Sequence, residues 1–192
     1  MSLCFALFET AIGPCAIAWG EASVVGVTIA EGDLERTRAR TRRRWPDAVE
    51  AEPDSGVAAA IARVQALLEG KRDDLTDIPL DWSAVPDFDR RVLEICRAIP
   101  PGATRTYGDI ARELGDLALS RGVGQALGRN PFPIIVPCHR VLGADGRTGG
   151  FSGGVGVETK LAMLNREGAR ASTAPTLFDD DPAFGLAAAP KR

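Results

Sequence analysis

The sequence predicts an α/β N-terminal part, with an antiparallel-rich sheet and helices, followed by a mostly α C-terminal part that carries a short sheet. Three observations lead there. Short apolar runs cut by turn residues fill the first thirty positions, as strands of a small sheet do. Apolar residues then recur at helical spacing around 87–97, 107–128 and 158–166. Between the last two of these stretches, the aliphatic run Ile134-Ile135-Val136 leads into Pro137-Cys138-His139-Arg140 and then into a loop crowded with glycine.

A chain of 192 residues with 45% hydrophobic content suits one or two small domains with an ample core. No apolar run approaches membrane-spanning length, and the N-terminal residues lack a basic leader region, so a cytoplasmic protein without membrane contact is expected. Cys4, Cys15, Cys96 and Cys138 show no CxxC spacing, which fits a reducing compartment. Cys4 and Cys15 could meet across a hairpin, but no histidine is near them in sequence, so a zinc site is disfavoured. The net charge of -3 is unevenly spread. Residues 83–170 hold 12 Lys/Arg against 9 Asp/Glu, an excess of +3, and all but one of those cations are arginine. That excess is a modest sign of phosphate contact.

Taken in order, residues 3–9, 14–20 and 23–30 read as three strands. Asp33 caps a helix running to about Trp45, which Pro46 ends. Its arginines (Arg36, Arg38, Arg40, Arg42, Arg43, Arg44) read as a solvated face balanced by Glu31, Asp33 and Glu35, in preference to a nucleic-acid patch. Asp54-Ser55 opens a second helix with Val57, Ile61, Val64 and Leu68 on one face, stopped by Gly70. Residues 78–82 read as a last strand. A boundary near 83–86 divides the chain into 1–82, a scaffold, and 83–170, with 171–192 read as a disordered tail rich in Ala, Pro and Asp.

In the second part, Pro86-Asp87 starts a helix that places Cys96 in the core, and Ile99-Pro100-Pro101-Gly102 breaks it. Thr106 caps the next helix, from Tyr107 to Leu114, and a short one follows at about 119–128. The pair resembles a helix-turn-helix. Gly122, Gly124 and Gly128 each weaken that last helix by about 0.8–1.0 kcal/mol relative to alanine. Close approach to an outside surface and tight packing on the protein's own core explain them equally well. Asn130 is placed to fix the turn into the aliphatic run through side-chain-to-backbone hydrogen bonds.

Ile134-Ile135-Val136 reads as a short buried strand that Pro137 must end. Cys138 then sits at its mouth beside His139, the only histidine in the chain. Adjacent side chains of an extended strand point to opposite faces, so contact between thiol and imidazole needs a turn or a bridging water. A thiol near an imidazole is a route to thiolate, the nucleophilic form. The glycines from Gly143 to Gly156 permit close backbone approach to a ligand but match no phosphate-loop pattern. Glu167 ends the last helix, where a histidine or arginine partner would offset the helix dipole.

Asn130-Pro131-x-Pro133-Ile-Ile-Val-Pro137-Cys138-His139-Arg140-Val141, with Thr106-Tyr107 upstream and Arg121-x-Val123-Gly124 between, resembles the O6-alkylguanine-DNA alkyltransferases over residues 82–170. The N-terminal half is similar in layout to that family's ribonuclease-H-like domain. The resemblance implies a direct-reversal repair protein that flips O6-methylguanine, and possibly O4-methylthymine, out of duplex DNA and moves the alkyl group onto Cys138, once per molecule. It implies that His139 deprotonates Cys138 through a water, that Glu167 orients the imidazole, that Asn130 holds the turn, and that Tyr107 helps protonate the leaving purine. Arg121 would fill the gap left by the base. Gly122, Val123 and Gly124 would enter the minor groove, with Thr106, Arg129 and Arg140 among the DNA contacts. Val141, Phe151 and Ser152 would line the base pocket. A monomer with no cofactor or metal is expected, and Thr176-Leu177-Phe178-Asp179 in the tail could dock on a replication clamp. Competing readings are a cysteine hydrolase, which would turn over, a non-catalytic lesion binder, and a helix-turn-helix regulator.

Overall fold

The computed structural model describes residues 3–169 apart from 22, 145, 149–152 and 155. The tail at 171–192 lies outside the described residues, as do Phe151 and Ser152.

Strands β1 (Cys4–Phe8), β2 (Cys15–Trp19) and β3 (Val24–Thr28) form an antiparallel meander, and β4 (Val49–Glu50) joins β1 in parallel, giving the order β3-β2-β1-β4. The sheet is therefore mixed. The hairpin register sets Cys15 opposite Phe8 and Cys4 opposite Trp19, so the two cysteines lie at opposite ends of the pairing and do not meet. Among the described residues no cluster could hold a metal ion.

Helix α1 (Leu34–Arg44) follows its Asp33 cap as expected and packs across β1–β3. Its inward side is polar. Thr41 Oγ1 bonds Thr28 Oγ1 at 3.1 Å and Thr37 Oγ1 donates to the Pro14 carbonyl at 3.1 Å, so hydrogen bonds moor a helix that has few apolar side chains to bury. Helix α2 (Ser55–Leu68) starts on its Asp54 cap and buries Val57, Ile61, Val64 and Leu68. The strand expected at 78–82 is reduced to a single bridge between Val24 and Leu80.

Helix α3 (Asp87–Arg97) buries Val92, Leu93 and Cys96. Strand β5 (Arg105–Thr106) runs into α4 (Tyr107–Glu113), whose Thr106 and Asp109 form a reciprocal capping box. A 3-10 turn at Leu117–Leu119 leads to α5 (Ser120–Gly128). Strand β6 (Val141–Leu142) pairs in parallel with β5, and α6 (Val157–Arg166) closes the described chain. The main hydrophobic core is continuous from the N-terminal sheet to Met163, so both halves share it. No described helix is long and apolar enough to cross a membrane.

Candidate active site

The aliphatic run before Cys138 is a turn, not a strand. Ile134 takes φ of 76°, a left-handed conformation costly for a β-branched residue, and only Pro133 and Val136 form a bridge. Asn130 fixes this shape. Its Oδ1 accepts from Phe132 N at 2.9 Å and its Nδ2 donates to the Val136 carbonyl at 2.9 Å, while Val136 N reaches Phe132 O at 2.7 Å. All three aliphatics are still buried, which explains why burial alone made the run look like a core strand. Phe132 is anchored edge-on against Trp82 with ring centroids 5.1 Å apart.

The N-terminal sheet grips the same turn. Val27 N donates to the Pro131 carbonyl at 2.9 Å, and Arg44 Nη2 reaches the Asn130 carbonyl at 3.4 Å. Cys138–Arg140 then forms one 3-10 turn, which brings thiol and imidazole out of the opposed geometry of a strand.

His139 is buried, and its Nε2 lies 2.9 Å from Glu167 Oε1. Its Nδ1 is buried without a hydrogen-bond partner among the described residues. Arg140 clamps the other side of Glu167, with Nε donating to Oε2 at 2.8 Å, Nη2 to Oε1 at 2.7 Å and Nη1 to the Ile99 carbonyl at 2.5 Å. Burial pushes the Glu167 carboxyl up, but the hydrogen bonds from His139 and Arg140 outweigh it and hold it down at about 2. Burial dominates at His139 and lowers its pKa despite Glu167. Burial likewise raises the Cys138 thiol, opposed in part by a hydrogen bond from Asn130 and the charge of Lys160. At neutral pH the site therefore holds a thiol and a neutral imidazole, with a proton on Nε2 and a lone pair on Nδ1.

Cys138 opens on a cavity of about 620 Å³, shared with Tyr107, Gly124, Gly128, Asn130 and Pro133. Tyr107 is half-buried, and burial raises its phenol pKa, so it carries its proton at neutral pH. Sequence reasoning missed Lys160. It is buried beside the thiol, donates to the carbonyls of Val141 at 2.7 Å and Thr148 at 2.6 Å, and is pushed down to about 8 by burial. Its signal was a lysine on the apolar face of α6, four residues from Leu164. The N-terminal arginines Arg40, Arg43 and Arg44, exposed as the solvated-face reading expects, also border the cavity.

Three residues expected at a DNA surface need correction. Arg140 is fully buried and committed to Glu167 and Ile99, so it cannot reach a phosphate. Val123 is fully buried, its side chain filling the core below α5. Gly122 faces inward: a Cβ there would lie 3.2 Å from the Phe88 ring, so packing accounts for this glycine. Val141, expected to line the base pocket, has a buried side chain, its N–H on the Cys138 carbonyl and its own carbonyl on Lys160, so only that carbonyl is left to face a base. Arg121 is exposed at the start of α5 with no ion pair among the described residues. Gly124 faces Tyr107 at ordinary van der Waals distance, and Gly128 faces open space. Arg129 is exposed but paired through two 2.7 Å bonds with the buried carboxylate of Asp89.

Residues 87–169 match the family model described as the DNA binding domain of 6-O-methylguanine DNA methyltransferase. A methylated-DNA–protein-cysteine methyltransferase of Mycobacterium tuberculosis is 37% identical over 172 residues, 89% of this chain and 96% of the relative. A DNA base-flipping protein of Thermus thermophilus is 41% identical over 162 residues, 83% of this chain and 97% of the relative. Among solved structures, Mycobacterium tuberculosis OGT in complex with DNA superposes with a TM-score of 0.67 at 30% identity, covering 88% of this chain and 95% of that one. O6-methylguanine-DNA methyltransferase from Pyrococcus kodakaraensis gives 0.68 at 27% identity, covering 86% and 99%. Because sequence and fold agree over nearly the whole length of these relatives, the chain belongs to the family of methylated-DNA–protein-cysteine methyltransferases.

Proposed function

We propose that this protein repairs alkylated DNA directly, taking the alkyl group of a flipped O6-methylguanine onto Cys138 in a single turnover. The observation that carries the reading is a cysteine on a cavity wall whose neighbouring imidazole is locked to a buried carboxylate with one nitrogen left to accept a proton. A base inside a duplex cannot reach a buried sulfur, so extrusion is required. The sulfur attacks the alkyl carbon, the S–C bond forms and the C–O6 bond breaks. The thiol proton passes to His139 Nδ1 through a water. The departing O6 becomes a neutral carbonyl as a purine ring nitrogen gains a proton from Tyr107. Glu167 orients His139 and offsets its developing charge. Asn130 holds the turn. The product is a thioether, which water does not cleave, so the protein acts once.

Arg121 fills the space left by the base, while the face of α5 carrying Gly124 and Gly128 approaches the minor groove. Thr106, at the cap of α4, and Arg129 flank the phosphates. The Val141 carbonyl keeps a second lone pair for the base edge; Phe151 and Ser152, the other expected base contacts, lie outside the described residues. Helices α4 and α5 act as a helix-turn-helix, residues 83–170 as the DNA-binding domain, and residues 1–82 as a ribonuclease-H-like scaffold. We infer a cytoplasmic monomer, in keeping with four free cysteines. We further propose that residues 176–179 dock on a replication clamp.

A lesion binder that flips without transfer is the second reading, motivated by the base-flipping relative. One measurement separates them. After incubation with duplex DNA carrying O6-methylguanine, mass spectrometry is expected to find one added CH2 on the Cys138 peptide, stoichiometrically, and none in Cys138→Ala, which still binds DNA. Binding without a mass change in the wild type would favour the lesion binder, and release of many products per protein a hydrolase.

A further inference from the structure

Glu167 sits at an awkward place for a carboxylate. It caps the end of α6, where the helix dipole disfavours negative charge, yet its oxygens must meet His139 Nε2 at 2.9 Å and Arg140 at 2.8 and 2.7 Å. The backbone around it is held from outside α6. Arg166, the residue before it, is exposed, but its guanidinium reaches across to the N-terminal half. Nη2 donates at 2.9 Å to the carbonyl of Ala11, in the turn between β1 and β2, and Nη1 donates at 3.4 Å to the carbonyl of Leu68, the last residue of α2. At that end of α2 the carbonyls of Gln65, Ala66 and Leu67 are taken by the N–H groups of Glu69, Lys71 and Gly70. Arg166 thus brings a cation to a carbonyl at the negative end of the α2 dipole. Two left-handed glycines close on the backbone of the same pair of residues. A Cβ on Gly70, with φ of 94°, would lie 3.2 Å from the Arg166 carbonyl, and one on Gly102, with φ of 84°, 3.1 Å from the Glu167 carbonyl.

We propose that Arg166 is a positioning residue, which ties the end of α6 to α2 and the β1–β2 turn and so holds the Glu167 carboxylate on His139. It touches neither substrate nor the reacting atoms. The charges that face His139 are Glu167 and Lys160 from α6 and Arg140 from its own turn, and of these only Glu167 favours the imidazolium. Freeing the helix end therefore has a readable consequence. As Glu167 drifts, His139 becomes harder to protonate and is aimed less well as a base.

The effect on rate rests on the transfer reaction proposed above, whereas the effect on His139 is read without DNA. His139 is the only histidine, so its imidazole gives one unambiguous titration by NMR in the free protein. Arg166→Gln is expected to need about tenfold more acid than the wild type for half-protonation. It should also transfer methyl from an O6-methylguanine duplex about tenfold more slowly at neutral pH, the scale of a slightly misplaced catalytic group. Arg166→Lys keeps a donor for one of the two carbonyls and should fall between. Gln65→Ala is the control. It removes the 2.8 Å bond from Gln65 Nε2 to the Glu9 carbonyl, which ties α2 to the neighbourhood of the same turn without involving α6, and should leave titration and rate unchanged. An Arg166→Gln variant that unfolds at lower urea but keeps the wild-type titration overturns the inference, because the contact is then structural only. A titration shifted equally by Gln65→Ala overturns it as well. If no protein transfers methyl, wild type included, the reaction is refuted and the titration alone decides whether Arg166 positions Glu167.

Discussion

His139 is a base only while it is uncharged, and its surroundings work to keep it so. Burial lowers its pKa below the ordinary value of 6.5, and Glu167, which favours the protonated form, does not overcome that. The single-turnover rate should therefore be flat near neutral pH and fall about tenfold per unit only below pH 6.5, as the imidazole protonates. His139→Gln should lose about 10²–10⁴ in rate and lose this acid limb. A wild-type rate that keeps rising as pH drops toward 5 would remove His139 from the mechanism. Glu167 carries a stability consequence as well. Its folded pKa of about 2 lies below the ordinary 4.5, so its contribution is fully present above about pH 4.5 and is lost as pH falls toward 2. Glu167→Gln leaves the Arg140 guanidinium buried without its counter-charge and should cost about 3–5 kcal/mol in urea unfolding at pH 7. The gap to the wild type should narrow steadily between pH 4.5 and 2. A gap that stays constant would mean that the ion pair contributes little.

Along α5 the glycines part company. Gly122 is small because Phe88 sits against it, whereas Gly124 has room for a methyl group in the free protein. Gly124→Ala should therefore gain up to about 1 kcal/mol of stability from helix propensity. If this face meets DNA, the same variant should bind methylated duplex more weakly, because the added carbon intrudes where backbone must approach. Thermal melts and duplex titration read the two effects separately, and tighter folding with unchanged affinity would move the DNA face elsewhere. The sequence left these glycines undecided because helical periodicity cannot tell which neighbour a missing side chain makes room for. It did locate α1–α6, since caps such as Asp33, Asp54 and Thr106 and breakers such as Pro46 and Gly70 act locally. It misread 134–136 because a buried turn and a buried strand share one apolar composition, and what separates them is Asn130 bonding across to Val136. The two-residue strands β4, β5 and β6 are too short to carry an alternating pattern. The Cys138–His139–Glu167 set was legible as residue types, but Lys160 and the loss of Arg140 to the interior depend on packing that no local pattern records.

Across the whole molecule, the N-terminal half has no residue in the proposed chemistry, yet it holds the turn that carries the chemistry. Gly26 on β3 is the point of closest approach. A Cβ there would overlap the edge of the Trp45 ring at Cζ2 and lie 2.7 Å from the Pro131 carbonyl, next to the 2.9 Å bond from Val27 N to that same oxygen. Trp45 is covered by the Arg44 guanidinium, 4.8 Å from its ring, so the strain of an added methyl must pass in part to the loop at 130–131. That loop includes Asn130, whose amide sets Val136, and Cys138 N bonds the Val136 carbonyl at 2.8 Å. Gly26→Ala should thus cost about 1–3 kcal/mol, typical of overpacking. It should also slow alkyl transfer while leaving duplex affinity near the wild-type value, because the outer face of α5 is untouched. Gly20→Ala is the matched control, since a methyl group there meets nothing within 4 Å. Equal stability and equal transfer rates for the two variants would mean that the sheet merely sits beside the turn. A rate lost only in Gly26→Ala would mean that the scaffold half sets the position of the acceptor sulfur.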